Sequence, residues 1–375
     1  MRVLVVNAGS SSLKLAVVQG GEACAAETID ASEAGLDLTE RVRMFLVTHE
    51  PCDVVGHRIV HGGDQFIDPV LVDDAVTARL HALTDLAPLH QPKSLAALAL
   101  VAGLLPDVPA VACFDTAFHA GLPAAAATYA LPAEWRARWP LRRFGFHGLS
   151  HAYAARRVAE LMGVAVRQLR IVSCHLGAGA SLAAVAGGVS VDTTMGFTPL
   201  DGLVMATRSG SVDPGLLLWL EEHVGIPPAE LASALEHKSG LLGLAGSGDM
   251  QTVLAREAGG DADAATAVAV YVHRLRAGIA SMTAAMDGLD VLVFTGGVGE
   301  RAAEIRSRSA EGLGFLGVSL DPAANDAAVP DVDISGPAAA VTSWVVAARE
   351  DLEIAREVSE LFGRRAGGAG TTPRV

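Results

Sequence analysis

Residues 3–17 carry the strongest constraint on how this chain can fold. Val3-Leu-Val-Val6 is an apolar strand, Asn7-Ala-Gly-Ser-Ser-Ser12 a turn of small polar residues, and Leu13-Lys14-Leu-Ala-Val17 a second strand. Small residues let the backbone turn sharply and aim several N–H groups at one point, which makes a concavity for anions. Ser10, Ser11 and Ser12 add hydroxyl donors, Lys14 a positive charge and Asn7 an amide. A turn this polar inside so apolar a stretch points to phosphate chemistry. The pattern returns later in the chain. His175-Leu-Gly-Ala-Gly-Ala-Ser-Leu182, followed by Gly187-Gly188, echoes Asn7–Leu13 followed by Gly20-Gly21. Two such hairpins imply a duplicated domain with a cleft between the copies.

A chain of 375 residues has room for two domains with real cores. At 51% hydrophobic and 19% charged it reads as a soluble, compact α/β protein, not a disordered one. Apolar, β-branched runs at Val54–Val60, Val108–Phe114, Leu169–Cys174 and Val291–Thr295 alternate with helical patterns at Ser94–Leu104, His151–Leu161, Pro214–Glu222 and Ala262–Met286. Gly and Pro cluster around residues 120–146, as expected of a crossing between domains, and the tail from Gly363 reads as disordered. The longest apolar run, Leu95–Leu105, is too short to cross a bilayer. Met1 leads directly toward the polar turn, so no signal peptide and a cytoplasmic location are expected. The widely spaced Cys24, Cys52, Cys113 and Cys174 suit reduced thiols. A net charge of −14, with no basic patch found to offset it, argues against nucleic acid as a partner. An acidic chain that binds phosphate must place its few cations deliberately, so cations inside apolar segments are the ones to follow.

Gly56-His-Arg-Ile-Val-His-Gly63 puts Arg58 in a strand-like run beside a Gly-Gly turn. A buried arginine needs a partner, either a structural carboxylate or an anionic ligand. Asp115 ends the run Val111–Asp115, where it is either a helix cap or a group at the ligand-binding end of a strand. In Arg142-Arg-Phe-Gly-Phe-His147-Gly-Leu-Ser-His151 the two histidines have i, i+4 spacing, but no acid stands between them and no third ligand follows. That disfavours zinc. The flanking Gly145 and Gly148 leave His147 open to a substrate whose developing negative charge it can meet. The irregular stretch from Ser190 to Pro214 holds Arg208, which has no carboxylate at helix spacing and is either solvated or aimed at a ligand. Val291–Glu300 is a strand followed by a glycine turn. Walker A and protein-kinase signatures are absent.

Together and in this order, N-A-G-S-S-S-L-K, H-R-I-V-H-G-G, A-P-L-H-Q-P, F-D-T-A-F-H, R-R-F-G-F-H-G-L-S-H and D-T-T-M-G-F-T-P-L-D-G-L resemble the acetate kinase family, over nearly the whole chain up to about Leu361. The resemblance implies duplicated ribonuclease H-like domains of the actin-like ATPase kind. Residues 1–118 with 352–375 would form the first. Residues 119–351 would form the second, which binds nucleotide and dimerises. It implies reversible transfer of the γ-phosphoryl of ATP to acetate, giving acetyl phosphate and ADP, with Mg2+ or else Mn2+, in a homodimer. Carried over by position, Arg58, Asp115, His147 and Arg208 are the catalytic candidates. Asn7 and Glu350 would serve the metal. Ser10, Ser12, Lys14, His175, Gly177 and Gly179 would meet phosphates, and Asp249, Gly297 and Gly299 the adenosine. Val60, Leu89, Phe146 and Pro199 would enclose the acetate methyl.

The departures from the family pattern fall on the nucleotide side. Ala178 stands where the family usually has Asn, Asp249-Met250-Gln251 where it has Asp-Phe-Arg, Arg301 where it has Asn, and Ala348-Arg349 where it has Thr-Asn. They leave the phosphoryl donor open. Other readings are a propionate or other short-chain carboxylate kinase, a butyrate or pyrophosphate-using relative, a degenerate kinase acting as a sensor, or a chaperone or filament protein of the superfamily. The four catalytic candidates argue against the last two.

Overall fold

The structure is a computed structural model that describes residues 1–9, 12–30, 38–49, 51–88 and 90–368. Ser10, Leu89 and the last residues of the tail lie outside the described residues. The chain divides into two compact units. The first is Met1–Ala120, Gly148–Tyr153 and Arg349–Val375, and the second is Gly121–His147 and Ala154–Ala348.

The first unit is built on six strands: β1 (Arg2–Ala8), β2 (Ser12–Gln19), β3 (Glu22–Asp30), β4 (Val54–Ile59), β5 (Val70–Leu71) and β6 (Ala110–Phe114), in the order β3-β2-β1-β4-β6-β5. Strands β1, β4 and β6 run parallel, and β2, β3 and β5 pair antiparallel to their neighbours. Strand alternation decides the layers. Val3 and Val5 pack with Ile354, Ala355 and Val358 of the helix Glu350–Gly368, whereas Leu4 and Val6 pack with Ala97 and Val101 of the helix Gln91–Leu104. Gly56 on β4 makes the first contact close. A Cβ there would come within 2.6 Å of Ile354 Cγ2, so only glycine lets this helix lie so near the sheet.

The second unit repeats the plan. Its strands are β7 (Arg170–Leu176), β8 (Ala180–Ala186), β9 (Val189–Thr193), β10 (Val291–Thr295), β11 (Val332–Asp333) and β12 (Thr342–Val345), ordered β9-β8-β7-β10-β12-β11. Parallel and antiparallel pairings match those of the first sheet strand for strand. The far turns match too. Gly20 and Gly21 have φ 63° and 85°, and Gly187 and Gly188 have φ 64° and 86°. That left-handed pair is the geometry a two-residue hairpin of right-twisted strands requires. Both hairpins also carry a register shift, at Val17/Val18 and at Ala184/Val185. The duplicated α/β architecture expected from the sequence is thus present. The helix Ala262–Ala284 covers the second sheet, and a Cβ at Gly278 would come within 2.7 Å of Leu182 Cδ1.

Candidate active site

In the first unit the candidate groups stand at the carboxyl ends of three neighbouring parallel strands, where open α/β sheets bind ligands. Asn7 is near the end of β1, Arg58 near the end of β4, and Asp115 directly follows β6. Arg58 Nε lies 3.0 and 3.1 Å from the two carboxylate oxygens of Asp115, and its NH2 donates to Oδ2. Its NH1 donates to Asn7 Oδ1 at 3.2 Å. Asn7 Nδ2 donates to Glu350 Oε2 at 2.6 Å, and that oxygen is 3.9 Å from Arg58 Nε. Burial would weaken the Arg58 guanidinium's hold on its proton. The charges of Asp115 and Glu350 and the hydrogen bond to Asp115 outweigh that and strengthen it. Asp115 is therefore a strand-end group that fixes the arginine plane. Its own backbone is held as well: the Gly148 N–H donates to Asp115 O at 2.9 Å, and a Cβ on Gly148 would clash with that oxygen. The neighbouring His57 and His61 are buried, which lowers both to a pKa of about 4, so they are neutral.

Lys14 is exposed and pairs across the hairpin from Asn7, and Gly9 N–H closes the turn on Ser12 O at 2.8 Å. Val60 is buried just past β4.

In the second unit His147 has a left-handed backbone, with φ 56° and ψ 25°, at the start of the helix Gly148–Met162. A non-glycine residue there is strained and marks a site that the surroundings over-determine. Its Nδ1 is hydrogen-bonded to Ser181 Oγ at 2.9 Å, and its ring stacks on His175 at 4.3 Å between centroids. The turn joining β7 to β8 explains why the ring fits. A Cβ on Gly179 would come within 3.2 Å of His147 Cε1, 3.3 Å of its Nε2 and 3.5 Å of Arg208 NH1. His147 and Arg208 therefore meet over a bare Cα. Arg208 is not a solvated arginine: it is 14% exposed, with Nε 3.3 Å from Glu236 Oε2 and NH1 donating to Pro199 O at 3.1 Å. Glu236 was missed because it stands far along the chain from Arg208, and only the tertiary fold pairs them. Phe146 and Pro199 are both buried.

The glycine turn expected after β10 is the start of a helix, Gly296–Arg301, which adjoins the turn after β7. A Cβ on Gly296 would come within 2.8 Å of Leu176 O, and one on Gly299 within 3.7 Å of Cys174 O. Gly177 and Gly179 thus lie in the turn after β7, and Gly297 and Gly299 in the first turn of the helix after β10, where Gly299 packs against Phe294 and Leu176.

This arrangement has counterparts. The family model described as the acetokinase family matches residues 20–356. The chain is 41% identical to the acetate kinase of Dictyoglomus thermophilum over 97% of its own length and 100% of that protein's. Among solved structures it is similar to the acetate kinase of Porphyromonas gingivalis, with TM-score 0.87, 33% identity and coverage of 96% and 99%. It is equally similar to a propionate kinase of Francisella tularensis, with TM-score 0.88, 34% identity and coverage of 95% and 98%. The chain belongs to the acetokinase family.

The oxygen-rich set of Asn7 Oδ1 and the Asp115 and Glu350 carboxylates, gathered around Arg58, fits what the acetokinase family implies about a metal. Mg2+ takes one or two carboxylates and completes its shell with water and phosphate oxygens. No group of three His, Cys, Asp or Glu able to hold a metal occurs among the described residues. At the positions that depart from the acetokinase pattern, Arg301 Nε donates to Gly297 O at 3.2 Å, Arg349 is paired with Asp351 at 2.7 Å, and Asp249 caps the helix Met250–Ala258. The Asp249 carboxyl is held below its usual range by hydrogen bonds from Thr252, with a smaller contribution from the charge of Arg301. His151 lies beside His119, with ring centroids 5.8 Å apart, while His147 faces Ser181 and His175.

Proposed function

We propose that this chain is an acetate kinase that moves the γ-phosphoryl of ATP directly onto acetate, reversibly, as a homodimer. The observation that carries the reading is the meeting of His147 and Arg208 over the bare Cα of Gly179. Two nitrogen-rich side chains over a glycine turn suit a phosphoryl group whose oxygens need donors. A carboxylate and a phosphoryl group repel each other, so an in-line approach needs cations on both. Arg58, with its plane set by Asp115, takes the acetate carboxylate. Arg208 and His147 take the transferring oxygens, and Val60, Phe146 and Pro199 surround the methyl. Ser12, Lys14, His175, the turn at Gly177–Gly179 and the helix start at Gly297–Gly299 hold the nucleotide, with Asp249 beside the adenosine. Asn7 and Glu350 hold Mg2+, which when bound shares the charge of the donor phosphates. Acetate is already a nucleophile, so the reaction needs positioning and charge, and Asp115 acts through Arg58 and not as a base.

Trapping acyl phosphate with hydroxylamine tests this. Acetate, ATP and Mg2+ should give acetohydroxamate, and no hydroxamate with any short acid and any donor overturns the reading. Propionate is the second acid to test, given the likeness to a propionate kinase. One methylene in an apolar pocket discriminates by only ~1–3 kcal/mol. A panel of donors, including other nucleoside triphosphates and pyrophosphate, reads out the effect of Ala178, Gln251, Arg301 and Arg349. We expect weaker selection for ATP than the unaltered pattern would give. Light scattering tests the dimer, for which the exposed Val212, Leu216, Leu218, Trp219 and Val224 of the second unit offer apolar surface.

A further inference from the structure

We propose that Asp201 is a positioning residue that aligns His147 with Arg208. The inference rests on reading those two as the transfer residues. Each oxygen of the Asp201 carboxylate serves a different segment. Oδ2 accepts from Arg143 NH1 at 3.3 Å, and Arg143 stands four residues before His147. Oδ1 accepts from Ser211 Oγ at 2.6 Å and from the Gly202 N–H at 2.8 Å, and Ser211 stands three residues after Arg208. One side chain thus ties the strand of chain that presents His147 to the loop that presents Arg208.

The surrounding contacts make the tie stiff. Arg143 NH1 also donates to the carbonyls of Thr194 and Met195, each at 2.9 Å, and its guanidinium lies 5.7 Å from the Tyr129 ring. The Tyr129 hydroxyl accepts from the Phe197 N–H at 2.8 Å. Gly196 O accepts from the N–H groups of Phe144 and Gly145 at 3.0 and 3.3 Å. A Cβ on Gly196 would come within 2.8 Å of Asp201 Oδ2, so glycine there leaves the carboxylate its place. On the other side the Ser211 N–H donates to Gly202 O at 3.0 Å, and the φ of 103° at Gly202 and 69° at Gly210 set the two bends of the loop. Two groups that must both meet one phosphoryl have to be placed to a fraction of an ångström, and a shift of about 1 Å costs on the order of 10²-fold in rate.

The test is a double-mutant cycle in kcat with Arg143→Lys and Ser211→Ala. Each single change should lower kcat about 10-fold with the KM for acetate nearly unchanged, because neither residue meets substrate. Together they should cost clearly less than the product of the two single losses, since the part of each that runs through Asp201 is shared, while Arg143 also holds the Thr194 and Met195 carbonyls. Asp201→Asn should match the pair, and Ser211→Thr, which keeps the hydroxyl, should restore activity. Thermal midpoints measured in parallel separate alignment from folding. Losses that multiply, or that track the fraction unfolded, overturn the proposal. If His147→Ala and Arg208→Ala keep full turnover, the reading of the transfer residues fails. If those two abolish turnover while the cycle is multiplicative, only the role of Asp201 fails.

Discussion

The two hairpins start from one plan and end in different chemistry. In both, the first strand is followed by a glycine, Gly9 or Gly177, whose N–H closes the turn. In the first hairpin it reaches Ser12 O and in the second Gly179 O, so the second turn is a residue shorter. The first turn carries its own polar groups, with Asn7 and Lys14 paired across its base. The second, Gly177-Ala-Gly-Ala180, is nearly bare, and its one hydroxyl neighbour, Ser181, holds His147. The first hairpin brings its donors with it. The second makes room for donors that arrive on distant segments. A duplicated scaffold therefore leaves the backbone concavity alone and changes who supplies the charge.

The largest expected effect breaks this contrast at the second turn. Arg208→Ala should lower kcat by about 10³-fold or more, as loss of an arginine serving a transferring phosphoryl does. Lys14→Ala, at the first turn, removes an exposed cation and should raise the KM for nucleotide with a far smaller loss in kcat. Steady-state kinetics of both variants check this, and equal losses in kcat would sink the idea that the second turn depends on an imported cation. Next in size is the difference between the two arginine partners. Asp115 is 1% exposed and meets Arg58 with both oxygens, whereas Glu236 is 15% exposed and touches Arg208 at 3.3 Å. Asp115→Asn should cost on the order of 10²-fold in kcat, and destabilise the first unit, because breaking a buried pair costs about 3–5 kcal/mol. Glu236→Gln should cost about 10-fold or less. A reversed order, read from kinetics and urea unfolding together, would show that Asp115 is only structural.

What the sequence made legible follows from the length of its signals. The apolar runs at Val54–Val60, Val108–Phe114 and Val291–Thr295 became strands β4, β6 and β10 within a few residues, because buried parallel strands are continuous apolar runs. The echo of the two hairpins was visible because glycine pairs with positive φ tolerate few other residues. Strands β5 and β11 are two residues each and carry no period to read. The Arg58–Asp115 pair was foreshadowed, since each sat alone in an apolar run. Glu236 and the Arg143–Asp201–Ser211 tie were not. Each joins residues from separate loops, and loops leave no periodic mark on sequence. Arg208 looked solvated or ligand-bound because its partner came from the helix Pro228–His237.

Gly179→Ala sharpens the contrast at the level of a single methyl. At 3.2–3.3 Å from the His147 ring the new Cβ sits tighter than most real contacts, while at 3.5 Å it only touches Arg208 NH1, so the group that must yield is the His147 ring. We expect kcat to fall about 10- to 100-fold with the thermal midpoint almost unchanged. Gly9→Ala puts a Cβ 3.2 Å from Ser12 O, away from any transfer residue, and should cost a few-fold at most. If Gly179→Ala retained full kcat, the closeness of His147 and Arg208 to that turn would have no part in catalysis.

The smallest effect on rate concerns the layers behind the sheets. In each unit a buried cysteine has an acidic group near it: Cys113 is hydrogen-bonded to the half-buried Glu357 in the first, and Cys174 acts electrostatically on the buried Tyr271 phenol in the second. Burial, then the charge of Glu353, raises Glu357 to about 8, and its Oε2 is sealed from solvent without a hydrogen-bond partner. Burial likewise raises Tyr271 above its ordinary value. The sign follows from proton binding. Between the unfolded carboxyl's value and about 8 the folded chain keeps a proton that the unfolded chain has lost. The stability linked to Glu357 is therefore complete at low pH and lost as pH rises through that window. Tyr271 begins to act only above the phenol's ordinary value near 10. Glu357→Gln should raise stability by about 2–4 kcal/mol at pH 8.5, less at pH 6 and very little at pH 4.5, with kcat unchanged. Tyr271→Phe should change stability by the same amount at all three pH values, keeping the slope of the unaltered chain, since its phenol is neutral in both states there. Urea unfolding at the three pH values reads both. A Glu357→Gln gain that is independent of pH would mean the carboxyl is ionised in the folded chain, and that the two cysteine–acid pairs are electrostatically alike.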